Sequence, residues 1–417
     1  MQAANRASDL NTIAAASAAG DATALVARQP IYGSAMTVAA YELLYAQVPG
    51  RRPATTASEA TLRVLADAAL EIGLDRLAGG MPVYINYPPE LLAVEKPLSV
   101  QPQRVVIQVG PGSINDATRT GLRNLKQRGH LIALCDYSPK LRDAELLDLT
   151  DVVKIPFDSL APEALGKLVP LLSQRGLQVI ATGVATIEQF DQANQMGFDG
   201  FQGEFLSKPQ RLEGNRAPRN GLATLRLVAT LQSPGCTFEE VEKLMGQDLS
   251  MSYRALRCIN SSYYSLPQRV DSIRQALVLL GMDNLRQLCS LAALQQLDGR
   301  PTSVLVMAMA RARMCEQLAR LAGQTPTAPY FITGLFSMLD VLMGVSMSRI
   351  VMELPLAPAV EAALVAGEGD MGQALICARA YESAIFHEAN YRSVPPQLVR
   401  AAYLDAVYGA EQALASN

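Results

Sequence analysis

The first half of the chain alternates short apolar runs with longer segments of helical periodicity. Runs rich in Val, Ile and Leu begin near residues 82, 104, 130, 151, 177 and 199, and an earlier one reads AAYELLY. This alternation predicts parallel strands joined by helices and buried on both faces. Six or seven such strands fit a closed β/α barrel better than an open sheet, although the pattern alone leaves both arrangements open.

The apolar runs end in polar residues. In order, these strand-end residues are Glu42, Asn86, Gln108, Cys135, Asp136, Lys154, Thr182 and Gln202. In a β/α barrel the carboxyl ends of the strands share one face, and polar groups there build the active site. We therefore expect these side chains to meet in one pocket, which would contain only two carboxylates.

The alternating pattern stops in the second half. The stretch SKPQRLEGNRAPRNG, rich in Pro, Gly and charged residues, has the composition of a domain boundary, and the segments after it have helical periodicity only. The sequence predicts four parts: a disordered tail over 1–24, a barrel over 25–206, a linker over 207–221 and an all-helical domain over 222–417. The predicted fold class is α/β followed by all-α.

Composition narrows the function classes. With 49% hydrophobic residues, 18% charged residues and a net charge of −3, the chain is that of an ordinary globular protein without the basic surface typical of nucleic-acid binding. No apolar run approaches the ~18 residues that a membrane span needs. The six scattered cysteines form no CxxC pair, as expected in a reducing compartment. These features predict a cytoplasmic protein without a membrane span.

The strand-end segments, taken in order, resemble the EAL-type cyclic-di-GMP phosphodiesterase domain. YELLY stands at the EAL signature, INYPPELL resembles its V-N-L-S segment, and VIATGVATIEQFDQANQMGFDGFQGEFLSKP follows its A-E-G-V-E … Q-G-Y-x-x-S-K-P stretch. The resemblance covers about residues 25–210. It implies a TIM-like barrel whose active site hydrolyses a phosphodiester with two divalent cations.

The same resemblance implies roles for the strand-end residues. The family supplies three glutamates, an asparagine and two adjacent aspartates as metal ligands, of which this chain keeps Glu42, Asn86 and Asp136. Gln108, Cys135 and Thr182 replace the others. Lys154 and Gln202 match family positions near the phosphate and metal-bound water, whereas Ala46 stands where the signature carries an arginine that contacts phosphate.

These replacements predict a degenerate pocket. An amide brings no charge to a cation and a thiol is a poor ligand for Mg²⁺, so the sequence predicts a protein that is not an enzyme and has no cofactor, with Mg²⁺ or Mn²⁺ only if residual activity persists. Three alternatives stay open. Glu42, Lys154 and Asp136 form a structural ion-paired plug, the pocket binds cyclic di-GMP without cleaving it, or the chain is a weak metal-dependent phosphodiesterase.

The second half resembles the HDOD domain. The segment CINSSYYSLPQRVDSIRQALVLLGMDNLRQL follows the pattern N-S-x-x-Y … I-x-S-I-x-x-A-I-x-x-L-G-x-x-x-L-R. Phe336 and Ser337 stand where related metal-dependent phosphohydrolases carry a His-Asp pair. Together the halves resemble the fused EAL–HDOD signalling proteins of bacteria. This implies a scaffold that binds other signalling proteins through its HDOD domain and regulates motility, pili or biofilm formation.

Methionines are concentrated in the helical half, where they either fill an irregular core or form an adaptable partner surface. The segment MAMARARMCEQLARLAG places basic side chains beside soft apolar ones. It supplies the candidate partner surface, which consists of Met307, Arg311, Arg313, Met314 and Arg320.

Overall fold

The computed structural model describes residues 24–47, 74–92, 102–110, 115–139, 144–206, 226–231, 233, 235–246, 252–253, 255–256, 259–260, 270–295, 301–354 and 356–414. The chain divides into two compact units, one made chiefly of residues 22–208 and the other chiefly of 209–417. The predicted linker over 207–221 and all but the last residue of the predicted tail over 1–24 lie outside the described residues.

The first unit is a closed barrel of eight strands in sequential order. They are β1 (Ala24–Tyr32), β2 (Val38–Gln47), β3 (Val83–Asn86), β4 (Val105–Val109), β5 (Leu131–Leu134), β6 (Val152–Pro156), β7 (Gln178–Thr182) and β8 (Gly200–Phe201). Strands β2 to β8 pair in parallel, which confirms the predicted TIM-like barrel.

The first strand departs from the prediction. Residues 24–32 form β1, which runs antiparallel to both of its neighbours, β2 and β8. A tight turn joins β1 to β2, and within it the Gly33 backbone N–H donates to the Thr37 carbonyl at 2.9 Å. The sequence predicted six or seven strands because a hairpin lacks the helix that separates the other strands and marks each repeat.

Helices connect the parallel strands. The described ones are α1 (Leu74–Ala78), α2 (Pro89–Leu92), α3 (Asp116–Gln127), α4 (Ala144–Asp148), α5 (Pro162–Gln174) and α6 (Ile187–Gln195). Helix α3 begins with a capping box in which Asn115 and Thr118 each accept from the other's backbone N–H. Gly129 and Gly176 follow α3 and α5 after one intervening residue each, and their φ values of 86° and 79° are typical of glycines that end a helix.

A layer of buried side chains fills the barrel. Seven strands each contribute one residue to it, namely Ile31, Ala40, Tyr84, Val106, Ala133, Val152 and Ile180. Inward and outward side chains alternate along a strand. The residue two positions nearer the carboxyl end of each parallel strand therefore also points inward, one layer higher.

The second unit is helical throughout its described residues. The helices whose bounds the structure describes are α7 (Phe238–Gly246), α8 (Ile273–Leu294), α9 (Thr302–Leu321), α10 (Ala328–Phe336), α11 (Leu339–Met343), α12 (Met347–Glu353), α13 (Pro358–Ala366), α14 (Gly369–Glu382) and α15 (Pro396–Leu414). This agrees with the predicted all-helical C-terminal domain.

Helix α8 is, within the described residues, the one helix long and apolar enough to cross a membrane, and 50% of its apolar window is buried. A core helix of a globular domain has the same composition, so this is weak evidence for a span. Gly281 has φ 80° and ψ 169° within it and breaks α8 into two shorter helices. Neither reaches the ~20 residues that a span needs.

The candidate partner surface does not form an exposed face. Helix α9 packs against α10 and α15, and Arg311, Arg313 and Met314 are only 5%, 7% and 1% exposed. Met307 is partly buried, and Arg320 alone of the five is exposed. The prediction of a surface is wrong for the three buried residues, because charged positions along a helix do not reveal whether neighbouring helices cover it.

Candidate functional site

The strand-end residues form a second inward-facing layer above the barrel core. Each of six parallel strands contributes a residue two positions after its core residue: Glu42, Asn86, Gln108, Cys135, Lys154 and Thr182. Gln29 lies two positions before Ile31 in the antiparallel strand β1 and is paired opposite Glu42. The period of two therefore brings residues distant in sequence to one end of the barrel.

These residues line one cavity of about 590 Å³. All eight strand-end residues named from the sequence contribute to its wall. The remaining wall consists of Gln29, Gly110, Gly183, Val184, Ala185, Gly203 and Glu204. The sequence thus indicated which side chains meet, whereas their functional roles stay predictions.

The carboxylate of Glu42 is the centre of a hydrogen-bond network. Its Oε2 accepts from Lys154 Nζ and from Gln202 Nε2, both at 2.6 Å, and its Oε1 accepts from Gln108 Nε2 at 2.9 Å. Lys154 Nζ also donates to Gln108 Oε1 at 2.7 Å. The side chains of Lys154 and Glu42 are 4% and 17% exposed, so solvent screens this ion pair weakly.

This network determines the charge of Glu42. Burial by itself raises the pKa of its carboxyl, but the adjacent ammonium of Lys154 and the hydrogen bonds from Lys154, Gln202 and Gln108 outweigh it. The pKa of Glu42 therefore lies below its ordinary value, and the carboxylate stays ionised at neutral pH.

Gln202 extends the network to the first strand. Its Nε2 donates to Gln29 Oε1 at 2.8 Å as well as to Glu42. Its own Oε1 is buried and has no hydrogen-bond partner among the described residues. Gln29 was missed from the sequence because its strand was missed. The segment ALVARQPIY does not alternate strictly between apolar and polar residues, so its only strand signal was its content of Leu, Val, Ile and Tyr.

The other strand-end residues lie around this centre. Asn86 and Asp136 are exposed to the cavity, and Cys135 and Thr182 are partly buried. Asp136 has a φ of 50°, a backbone conformation that aspartate tolerates better than most residues. Burial raises the pKa of the Cys135 thiol to about 12, so this cysteine is protonated at neutral pH.

A close backbone approach shapes one side of the cavity. Gly203 has a φ of 155°, and a Cβ at this position would lie 2.0 Å from the carbonyl oxygen of Val184. The Val184 backbone N–H donates to the Gln202 carbonyl at 3.1 Å. Glycine thus allows the segment after β7 to lie against the end of β8.

The cavity has an excess of acid. Its described charged residues are the carboxylates of Glu42, Asp136 and Glu204 and the ammonium of Lys154, which leave a net charge of −2. A dianionic ligand would be repelled by such a pocket unless cations accompany it. The pocket's own charge therefore favours cations and disfavours an anion that enters without them.

The oxygen atoms that line the cavity do not fit a centre of two divalent cations. Divalent cations such as Mg²⁺ need oxygen ligands that are available to coordinate, yet Glu42 already accepts three N–H groups and the Gln108 oxygen accepts from Lys154. Within the part of the chain that the structure describes, no group of three or more His, Cys, Asp or Glu residues is placed to hold a metal ion.

Two family models match the chain, one for each unit. The EAL domain family matches residues 87–209, and the HDOD domain family matches residues 221–355. The first match lies almost entirely within the barrel unit, and the second lies within the helical unit.

Two relatives match over nearly their full length. An uncharacterized protein of Bacillus subtilis, YuxH, is 31% identical over 86% of this chain and 90% of its own. A protein of Vibrio cholerae named cyclic di-GMP phosphodiesterase CdgJ is 30% identical over 87% of this chain and 85% of its own. The chain belongs to the family of fused EAL–HDOD proteins of the cyclic-di-GMP pathway.

The second relative corrects one prediction. From the replaced ligands we predicted a protein that is not an enzyme. CdgJ, which matches most of both chains, carries the name of a phosphodiesterase. The prediction is wrong because it inferred the loss of an activity from single positions, and neither the family match nor the relative supports that loss.

Solved EAL structures are similar to part of this chain at low identity. BlrP1 of Klebsiella pneumoniae, solved with calcium and cyclic di-GMP, is 22% identical over 43% of this chain and 54% of its own, with a TM-score of 0.37. The EAL domain of Mycobacterium smegmatis DcpA is 23% identical over 44% of this chain and 92% of its own, also with a TM-score of 0.37. This chain thus matches about half the length of BlrP1.

Proposed function

We propose that this chain is a slow, metal-dependent cyclic-di-GMP phosphodiesterase whose barrel cavity holds the substrate. One observation carries the proposal: a polar cavity of about 590 Å³ at the carboxyl ends of the strands, in a chain whose relative CdgJ is named a cyclic di-GMP phosphodiesterase. Substrates of β/α barrels bind at that end.

The residues of the cavity support this assignment in two ways. Glu42 is ionised and lies at the centre of the strand-end hydrogen-bond network, so a change at this residue should alter how the cavity binds its ligand. The net negative lining means that the two phosphodiester groups of cyclic di-GMP need added cations to enter. We therefore expect binding and turnover to require a divalent cation, and turnover to be slow because so few carboxylates remain.

Product analysis tests the proposal. The full-length protein is incubated with cyclic di-GMP and Mg²⁺, Mn²⁺ or EDTA, and the linear dinucleotide is measured by chromatography. We expect product with Mg²⁺ or Mn²⁺ from the wild type, none with EDTA, and none from Glu42→Gln. Glu145→Gln is the matched control, since Glu145 lies on α4 with a side chain that is 54% exposed.

The outcomes separate the alternatives. Equal turnover by wild type and Glu42→Gln would show that the product comes from a contaminating enzyme or another site. Saturable cyclic-di-GMP binding without product under any cation would replace hydrolysis with reception of the nucleotide. Three further statements remain predictions. The helical domain binds other signalling proteins, the chain regulates motility, pili or biofilm formation, and the protein is cytoplasmic.

A further inference from the structure

His130 is buried where helix α3 meets strand β5. It directly precedes β5, and it is only 4% exposed. Its backbone N–H donates to the Leu125 carbonyl of α3 at 3.1 Å, and its imidazole is hydrogen-bonded to the Val105 backbone at the start of β4. This one residue therefore links α3, β4 and β5 in the wall of the barrel, at the end opposite the cavity.

One nitrogen of this imidazole lacks a partner. Nδ1 of His130 is buried and has no hydrogen-bond partner among the described residues, so the bond to the Val105 carbonyl is made by Nε2. A neutral imidazole carries one N–H group and one acceptor nitrogen, whereas an imidazolium carries two N–H groups. The site therefore fits the neutral tautomer with its proton on Nε2. Protonation would bury a charged N–H group for which the described residues provide no acceptor, and this is unfavourable.

The charged groups on the adjoining elements do not compensate for this. At the same end of the barrel, the described ones are Arg104 before β4, Lys126 on α3, Arg128 after α3, Asp148 on α4 and Asp151 before β6. Burial and, after it, the charge of Arg128 lower the pKa of His130 below its ordinary value. Asp151 already accepts from Lys126 Nζ at 3.2 Å and from the Ile132 backbone N–H at 3.0 Å.

We propose that His130 is an acid-sensitive switch in the barrel wall: the folded wall accommodates the neutral imidazole, and protonation destabilises it. Strand β5 leads directly to Cys135 and Asp136, which line the cavity, so acid acts on a strand that positions two wall residues of the site. The unfolded chain takes up a proton at His130 near pH 6.5 and the folded chain does so only at lower pH. The stability is therefore complete above pH 6.5 and is lost as the pH falls below it.

The histidine content of the chain makes the protonation state directly measurable. The sequence contains only two histidines, and the second, His387, has a side chain that is 82% exposed. NMR of the full-length protein with isotopically labelled histidine therefore gives two imidazole signals, and His387→Gln assigns them by removing one. We expect the His130 signal of the wild type to remain that of the neutral tautomer protonated on Nε2 at pH 6, where most of a model-peptide histidine is protonated.

Urea unfolding measures the effect on stability. The wild type, His130→Gln and the matched control His387→Gln are compared at pH 7.5 and pH 5.0. We expect the unfolding equilibrium constant of the wild type to rise about fivefold or more, relative to that of His130→Gln, over this pH range. The control should follow the wild type. Comparing variants at the same pH removes the contribution of the carboxylates, and the NMR measurement on the wild type keeps the proposal testable if His130→Gln does not fold.

Two outcomes would overturn the proposal. One is an imidazolium at His130 already at pH 6, which would show that the carbonyls at the end of α3 stabilise the added charge. The other is the same pH dependence of unfolding in the wild type and in His130→Gln. Neither measurement contains nucleotide or metal, so both outcomes are independent of the proposed hydrolysis.

Discussion

At the scale of single residues, the Glu42–Lys154 ion pair is the contact on which the strand-end centre depends. Both side chains are largely buried, and removing one partner of a buried pair leaves the other charge uncompensated. We predict that Glu42→Gln lowers the free energy of unfolding by about 3 kcal/mol at pH 7. Urea denaturation of the full-length protein measures this value.

The same variant should have a specific pH dependence. Because the pKa of folded Glu42 lies below its ordinary value of 4.5, its stabilisation is complete above that value and is lost as pH falls through the folded pKa. The difference between wild type and Glu42→Gln should shrink below about pH 4.5. Glu145→Gln, which removes the two ion pairs of an exposed carboxylate with Arg119 and Arg123, should cost less than about 1 kcal/mol. A Glu42→Gln effect as small as this would contradict the prediction.

Cys135 provides a second test at this scale. Burial, reinforced by the charges of Glu42 and Asp136 against that of Lys154, raises the pKa of its thiol to about 12. We predict that iodoacetamide at pH 8 modifies Cys135 far more slowly in the native protein than in urea. In the native protein only about one ten-thousandth of the Cys135 side chains are in the thiolate form at that pH, and the thiolate is the reactive form. Peptide mass spectrometry measures both rates. Labelling of the native protein as fast as that of free cysteine would contradict the raised pKa of the Cys135 thiol.

The sequence predicted which residues meet but not how they bond. Polar residues at successive strand ends predicted one pocket, because the strand period of two fixes which side chains face inward. It also left open an ion-paired plug of Glu42, Lys154 and Asp136. The structure pairs Glu42 with Lys154, whereas Asp136 is exposed. The hydrogen bonds from Gln108 and Gln202 depend on rotamers, and no sequence pattern determines these.

At the scale of elements, the sequence predicted the strands and helices that belong to the strand–helix repeat. It did not predict elements outside that repeat. The strand–helix repeats indicated β2 to β8 and the helices between them. Strand β1 lies outside the repeat, because a hairpin with an antiparallel partner needs no helix. Helix α9 was misjudged for a related reason: the next helix, α10, and the distant helix α15 cover it, and the periodicity of α9 alone does not show this.

The kink in α8 gives a prediction for an element. Gly281 has a φ of 80° and a ψ of 169°, a backbone conformation that is essentially restricted to glycine, so Gly281→Ala should destabilise the protein by about 1–3 kcal/mol. The matched control is Gly166→Ala in α5, which should stabilise it by up to about 1 kcal/mol because alanine favours the helix. An added Cβ meets no heavy atom of the described residues within 4 Å at either position.

Opposite signs in thermal or urea unfolding would therefore report backbone conformation alone. If Gly281→Ala proved neutral or stabilising, residues 273–294 would form one continuous helix. That result would remove the argument that the kink makes α8 too short to span a membrane.

At the scale of the whole molecule, fold and chemistry were predicted with different success. The order of a barrel followed by a helical domain could be predicted because each has its own periodicity. The absence of enzymatic activity was wrongly predicted, since replaced ligands such as Gln108 and Thr182 describe single positions. The match to CdgJ covers 87% of this chain and 85% of CdgJ, so it compares the two proteins over most of their length.

The location of the nucleotide in the whole chain can be tested by hydrogen exchange with mass spectrometry. At a cyclic-di-GMP concentration about 100 times Kd, binding stabilises the bound state by about 2.7 kcal/mol, which slows exchange about hundredfold wherever opening requires ligand release. We predict the largest protection in peptides that carry Glu42, Gln108, Lys154 and Gln202, with Mg²⁺ present. Peptides from α15 of the same sample are the internal reference.

Protection that is largest in the helical domain would move the nucleotide site out of the barrel. No protection at saturating nucleotide with Mg²⁺ and Mn²⁺ would contradict binding altogether, because a ligand held by the central network must slow the opening of the strand ends.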